Sequence, residues 1–316
     1  MNNSDSENLR AEIFKTIIWF DLFSHPLTVY EIFKYVNYPC KLNDIIIELE
    51  NSSDKIKHKN GFYYLNGREE IVAERFKRLN YFKKKIKRAK IFSKLISKIP
   101  SVLGVAVSNV IGDHNLKESG DIDFFIITKS GKIWLTRFFC TLSAKILHLR
   151  PNSKTKKDKI CLSFYVSSDN LNLEKYLLNP NDLYFIYWFS GLEVVYSYKN
   201  VFNKFYQENN WIKKYLPNFS ESLIFHGGLS DEESSLDNIS SDSQLNISTS
   251  QSSVTFPGFC EKVFKKIQFK IMPKKLKDQA GKSSGVILDD KIIKLFLEDK
   301  RQFFIEKYEE NFRKNN

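Results

Sequence analysis

Two aspartates at alternate positions of an apolar strand constrain this chain more than any other feature. Residues 121–127 read Asp-Ile-Asp-Phe-Phe-Ile-Ile. Because side chains alternate across a strand, Asp121 and Asp123 lie on one face, while Ile122 and Phe124 lie on the other. Two carboxylates in a partly buried site repel each other unless a cation or a proton neutralises them, and oxygen ligands suit a hard ion such as Mg²⁺. The pair therefore predicts a site for Mg²⁺ or Mn²⁺, although the same spacing also occurs where ordinary surface strands begin.

The residues around the pair indicate a particular arrangement of elements. A first apolar strand is predicted over residues 102–107, followed by a polar turn at Ser108-Asn109 and a short helix that ends at Gly120. This order of strand, turn, short helix and Asp-x-Asp strand resembles the polymerase-beta-like nucleotidyltransferase superfamily over about residues 102–166. The whole layout is similar, more loosely, to bacterial proteins with a nucleotidyltransferase domain.

The resemblance implies a chemistry and a set of site residues. Asp121 and Asp123 would bind the metal and act in catalysis, positioning a nucleoside triphosphate, with ATP as the expected substrate. The acceptor of the nucleotidyl group stays open between nucleic acid, protein and a small molecule. Ser108 and Asn109 would contact the triphosphate with a hydroxyl and an amide. Lys117 is a further candidate phosphate contact, although a solvent-exposed loop lysine is the favoured interpretation.

Two positions depart from the family pattern. The family places Gly-Ser in the turn after the first strand, whereas this chain has Asn-Val after Ser108 and lacks the glycine that permits close backbone approach. The family also commonly places a third carboxylate on a later strand. The candidate strand over residues 159–166 contains no acid, and only Asp158 and Asp169 flank it. The alternative hypothesis is therefore a catalytically degenerate transferase scaffold that binds nucleic acid or protein.

Residues 1–68 predict a winged-helix-like module. Three helices are predicted, over about residues 9–23, 28–38 and 42–49. Thr28 and Glu31 form a capping box for the second helix, and Asn60-Gly61 between aromatic and apolar residues is typical of a β-hairpin. The third helix carries three acids, which favours protein contacts or packing over an approach to DNA phosphates.

A long basic helix is predicted over residues 69–99. Eleven Lys or Arg residues lie between Arg75 and Lys98, and no acid occurs between Glu74 and Asp113. The whole chain has a formal net charge of +12. Charge runs are usually solvated faces, but a run of one sign also predicts an anionic partner such as RNA, DNA or nucleotide phosphates.

The rest of the chain completes an expected α+β fold, with a small mixed β-sheet backed by helices. Residues 100–219 are predicted to form the nucleotidyltransferase core with a helical extension. Its further elements are a helix over residues 133–149, a strand over 160–166, and helices over about 182–198 and 201–216. Residues 220–257 predict a disordered, acidic, Ser-rich insert, since 12 of the 26 residues 230–255 are Ser or Thr. Residues 258–316 predict a basic C-terminal helical segment with a closing helix over about 290–313.

Composition and local sequence also predict the compartment. The four cysteines are scattered without a C-x-x-C pair, which indicates reduced core residues of a cytoplasmic protein. The polar N-terminus does not resemble a signal peptide. The apolar segment 133–149 is only 17 residues long and contains Arg137, Lys145 and His148, so a buried core helix is favoured over a membrane span.

Overall fold

In the computed structural model of the protein, helices surround a six-stranded open sheet, which is an α+β architecture. The structure describes residues 3–52, 54–108, 110–152, 155–220 and 258–315. The predicted Ser-rich insert lies outside the described residues, except for Ser220. The helices are α1 (Asn3–Asp21), α2 (Val29–Tyr35), α3 (Leu42–Glu50), α4 (Glu70–Ile96), α5 (Ile133–Ile146), α6 (Leu183–Ser190), α7 (Val201–Glu208), α8 (Gly258–Ile271), α9 (Lys274–Gln279) and α10 (Arg301–Asn315). The strands are β1 (Ile56–Lys59), β2 (Phe62–Leu65), β3 (Val102–Ser108), β4 (Ile122–Thr128), β5 (Ile160–Ser167), β6 (Glu193–Ser197), β7 (Val286–Leu288) and β8 (Ile292–Leu295).

The main sheet has the strand order β6-β3-β4-β5-β8-β7. β4 and β5 run parallel, and each other pair of neighbours is antiparallel. The central strands β3, β4 and β5 are buried almost throughout, which explains why they read as nearly continuous apolar runs. The prediction of a mixed sheet backed by helices is confirmed.

Alternate residues of β4 pack into two cores on opposite faces of this sheet. Phe125 and Ile127 belong to a core shared with α1, α6 and α7. Phe124 and Ile126 belong to a second core, shared with α4 and α5. Because Asp123 alternates with Phe124, its side chain lies on the face of the first core. The basic helix α4 therefore covers the face of the sheet opposite to Asp123.

The N-terminal helices and the β1–β2 hairpin occupy the predicted positions. Thr28 accepts a hydrogen bond from the Glu31 amide and the Glu31 side chain accepts one from the Thr28 amide, so the capping box is confirmed. Asn60 and Gly61 form the hairpin turn with φ angles of 54° and 80°, a left-handed conformation that this residue pair adopts readily. Side chains of α1 belong to the same hydrophobic core as Phe125, so these helices pack directly on the sheet.

The prediction of a helix over residues 182–198 is wrong for the second half of that range. α6 ends at Ser190, and residues 193–197 form β6, which pairs with β3 at one edge of the sheet. Gly191 permits this change of direction, since a Cβ there would lie 2.0 Å from the carbonyl oxygen of Val110. The β-branched residues that follow favour a strand over a further helical turn.

Two other helical predictions are also wrong. The segment that begins the predicted helix 290–313 forms β8, and α10 starts only at Arg301. Its consecutive isoleucines at 292 and 293 pair with β5 and extend the sheet. The short helix expected before Gly120 is replaced by turns over residues 110–121.

The helix α5 has 14 residues and is buried along the face that carries Trp134 and Cys140. Within the described parts of the chain, no helix is both long and apolar enough to cross a membrane.

Candidate functional site

Asp121 and Asp123 lie where the chain enters β4 from the turns that precede it. Asp123 is 7% exposed, whereas Asp121 is half-buried. Asp123 is paired with Ser108 of β3 on one side and with Cys161 of β5 on the other. Since residues directly opposite each other on neighbouring strands share a face, polar side chains from three strands meet at this point.

Cys161 completes a compact cluster with the two aspartates. Ligand atoms of Asp121, Asp123 and Cys161 all lie within 4.8 Å of one another. The Ser163 hydroxyl donates to Oδ1 of Asp123 at 3.5 Å. Burial raises the pKa of the Cys161 thiol well above its usual value, and the charges of Asp123 and Asp121 raise it further. In the metal-free protein the thiol is therefore neutral beside the carboxylates.

A cavity of about 430 Å³ opens beside the pair. Its lining includes Asp121, Asp123 and Lys117. Side chains that follow the predicted insert in sequence, including Lys294 and Arg301, also line it. The carboxylates thus border a partly open cavity of the size that a small ligand occupies.

Aromatic rings form a wall of this cavity. Phe185 and Trp188 of α6 stack with ring centroids 5.2 Å apart, and Phe164 of β5 stacks on Trp188 at the same distance. Tyr184 stacks on Phe304 of α10, also at 5.2 Å. The aromatic run of α6 was predicted to be core, and Phe185 and Trp188 are indeed buried. Both nevertheless line the cavity and give it an apolar surface that suits a planar ligand.

Other lining residues belong to a buried network of charges. The Arg301 guanidinium donates to Asp182 at 2.8 Å and to Asp299 at 2.7 Å. Lys294 Nζ donates to the Ser284 carbonyl oxygen at 3.0 Å. Burial lowers the pKa of Lys294 to about 8, and the nearby charge of Arg301 lowers it as well. Buried cations and the carboxylates of β4 thus line the same cavity.

The acids that flank β5 in sequence take part in other contacts. Asp158 forms a salt bridge with Lys85 at 2.7 Å, and Asp169 accepts a hydrogen bond from Ser167 at 2.5 Å. As far as the described residues go, Asp121 forms no salt bridge. The carboxylate pair with an open cavity therefore fits a divalent cation, since Mg²⁺ and Mn²⁺ prefer oxygen ligands. The third side chain within reach is the thiol of Cys161.

The structure brings some of the predicted site residues together. Lys117 is exposed and lines the cavity with the two aspartates. Ser108 is fully buried beside Asp123, and its hydroxyl donates to the Asp123 carbonyl oxygen at 3.3 Å. Asn109 lies outside the described residues.

Three side chains at the site were missed from the sequence. Cys161 was assigned to the core because its place beside Asp123 depends on the register of β5 against β4. Lys294 and Arg301 reach the cavity from a segment that begins about 170 residues after the two aspartates. No local sequence pattern indicates their role. One feature of the sequence could have indicated Cys161. It is the second residue of the strand predicted over residues 160–166, and Asp123 is likewise the second residue of β4.

The cations of α4 divide into two groups. Arg75, Arg78 and Lys85 are buried, and Arg75 pairs with Glu31 at 2.7 Å. The remaining cations of the helix are exposed, as is Lys98 just after it: Lys77, Lys83, Lys84, Lys87, Arg88, Lys90 and Lys94. Of the described residues that line the cavity, none belongs to α4. The exposed basic surface and the carboxylate pair are therefore separate features of the molecule.

Comparison of the chain with protein-family models, with curated proteins and with solved structures found no match. The fold and the site together define an α+β protein with a carboxylate pair beside a cavity lined by aromatic side chains.

Proposed function

We propose that the protein is a metal-dependent nucleotidyltransferase that transfers a nucleotidyl group from a nucleoside triphosphate to an acceptor. The observation that carries the proposal is that Asp121 and Asp123 line a cavity of about 430 Å³. A carboxylate pair that served only to begin a strand would not need such a space beside it. ATP is the expected donor, and the acceptor is left open.

The surrounding fold supports the proposal. The strand that carries the two aspartates pairs antiparallel with β3 and parallel with β5, so it lies within the sheet and between buried neighbours. This arrangement is compatible with the nucleotidyltransferase core that the sequence resembles. The three N-terminal helices and their hairpin are likewise compatible with a winged-helix-like module.

The reaction proceeds by attack of an acceptor hydroxyl or amine on the α-phosphorus. A new bond to phosphorus forms, the bond to the bridging α–β oxygen breaks, pyrophosphate leaves, and the acceptor proton passes to solvent. A bound divalent ion supplies charge neutralisation at the phosphates. Asp121 and Asp123 hold that ion, and Lys117 contacts a phosphate from the loop. The ring wall of Phe185 and Trp188 provides apolar contact for the base.

Calorimetric titration of ATP in the presence of Mg²⁺ or Mn²⁺ tests the proposal. The wild-type chain should bind ATP only with a divalent ion, and Asp123→Ala should abolish that binding. Asp169→Ala is the matched control, because this acid lies beyond the other end of β5 and should leave the affinity unchanged. Unaltered ATP affinity in Asp123→Ala would contradict the assignment of both aspartates as ligands of the divalent ion.

A catalytically degenerate scaffold is the second candidate. The observation that favours it is that the third side chain beside the two aspartates is the thiol of Cys161 and not a carboxylate. This candidate gives no pyrophosphate release with any acceptor class, whereas an active enzyme releases pyrophosphate when its acceptor is supplied. Its binding surface would be the exposed face of α4, which a nucleic-acid shift assay at two salt concentrations tests. Binding driven by phosphates weakens steeply as salt increases.

A further inference from the structure

The geometry points to Cys161 as the third ligand of the metal ion held by Asp121 and Asp123, so that the site selects Mn²⁺, Co²⁺ or Zn²⁺ over Mg²⁺. The inference rests on the proposed function for the role of the two carboxylates. It goes further by naming a ligand outside the all-carboxylate set and a class of ion.

The backbone holds Cys161 beside the aspartates. Cys161 and Asp123 are direct partners on the parallel strands β5 and β4, so their side chains leave the sheet on the same face. The three ligand atoms lie within 4.8 Å of one another. A single ion with bonds of about 2.0–2.3 Å separates its tetrahedral ligands by about 3.5 Å. Small side-chain rotations therefore bring all three atoms onto one ion.

The cluster is specific to this position. Among the described residues it is the single group of three or more His, Cys, Asp and Glu side chains with metal-binding geometry. The other cysteines lie elsewhere: Cys40 follows α2, Cys140 is buried in α5, and Cys260 belongs to α8. Cys260 is partly exposed, as Cys161 is, and provides a matched control.

The donor set decides which ions are favoured. Carboxylate oxygens accept both hard and borderline ions, whereas a thiolate binds softer ions and contributes little to Mg²⁺. On coordination a bond forms between sulfur and the metal, and the thiol proton passes to solvent. No electron transfer is involved. A nucleotide-binding assay supplied with Mg²⁺ alone would therefore underestimate the affinity of this protein for its nucleotide.

Co²⁺ titration of the full chain tests the assignment by absorption spectroscopy. A phosphine reductant is used, since a thiol reductant would itself bind cobalt. Wild-type protein and Cys260→Ser should develop the near-ultraviolet sulfur-to-cobalt charge-transfer band, and Cys161→Ser should not. Calorimetry should show that Cys161→Ser weakens Co²⁺ binding at least about tenfold, the lower end of what the loss of an outer-shell partner produces. Retention of the band in Cys161→Ser, or its absence in the wild type, overturns the assignment.

A second measurement needs no variant and so does not depend on how Cys161→Ser folds. The wild-type chain is alkylated with iodoacetamide with and without Co²⁺, and each cysteine peptide is quantified by mass spectrometry. Co²⁺ should slow the alkylation of Cys161 and leave Cys260 unchanged. An unchanged rate at Cys161 overturns the assignment.

The two proposals fail in distinguishable ways. A chain that gives the sulfur band but binds no ATP contradicts the nucleotidyltransferase function and supports the metal ligand. A chain that binds ATP through Asp123 with no sulfur band supports the function and contradicts the ligand.

Discussion

Replacement of Lys294 by methionine should stabilise the protein at neutral pH. Burial lowers the pKa of Lys294 from 10.5 to about 8. Below pH 8 the lysine is charged in both the folded and the unfolded chain, and the folded chain carries the full penalty of burying that charge. A lowering of this size corresponds to about 3 kcal/mol, at about 1.36 kcal/mol per pKa unit. Loss of the hydrogen bond to the Ser284 carbonyl offsets about 1 kcal/mol, which leaves a net gain of about 2 kcal/mol.

The gain should decrease as the pH rises. Between pH 8 and 10.5 the folded chain loses the Lys294 proton while the unfolded chain retains it. The stability of the wild type relative to Lys294→Met therefore increases with pH over this window. By pH 10 the free-energy cost of burying the Lys294 charge has fallen to about 1 kcal/mol, which only equals the hydrogen bond that Lys294→Met loses. The variant should therefore be no more stable than the wild type at pH 10.

Urea unfolding at pH 7 and at pH 10 measures both effects. Lys291→Met is the control, because Lys291 lies next to the same strand with its side chain 59% exposed. It should change the free energy of unfolding by no more than about 0.5 kcal/mol at either pH. A Lys294→Met variant that is less stable than wild type by the same amount at both pH values would refute the reasoning. Proteins retain a buried cation that lowers stability at places where function requires that cation.

Two further changes test the walls of the site. Arg301→Met removes the partner of Asp182 and Asp299, so it should lower the free energy of unfolding in urea by about 3–5 kcal/mol. The control Arg313→Met removes an exposed ion pair and should change the free energy of unfolding by less than about 1 kcal/mol. A loss below 1 kcal/mol in Arg301→Met would mean that the network does not hold the wall. Gly191→Ala places a methyl group against a backbone carbonyl and should lower stability by about 1–3 kcal/mol, as measured by thermal unfolding. An unchanged melting temperature would mean that the close approach after α6 is easily relieved.

Sequence patterns predicted the elements that depend on neighbouring residues. The capping box at Thr28 and Glu31 and the Asn60-Gly61 turn involve contacts over one to three residues, and both are present. The alternation in β4 correctly placed Asp123 on the opposite face from Phe124, since the period of a strand is independent of what surrounds it.

The elements that were missed depend on partners far along the chain. β6 and β8 have five and four residues, and each is fixed by pairing with a central strand. Short segments rich in apolar residues fit a helix as well as a strand until a partner is known. For the same reason the site was predicted only in part. Asp121, Asp123 and Lys117 are neighbours in sequence, whereas Cys161, Lys294 and Arg301 meet them only after the sheet forms.

The strand order has a consequence for the way the molecule is made. β5 is synthesised well before β8, the neighbour that covers its outer side. A nascent chain that extends only to Ser220 contains both aspartates but lacks Lys294 and Arg301. In that chain β5 has no β8 to pair with and is an exposed edge strand. Exposed edge strands pair readily with other chains. The cavity is therefore complete only after Lys294 and Arg301 have been synthesised, and a chain truncated at Ser220 lacks both side chains and leaves one side of β5 open to aggregation.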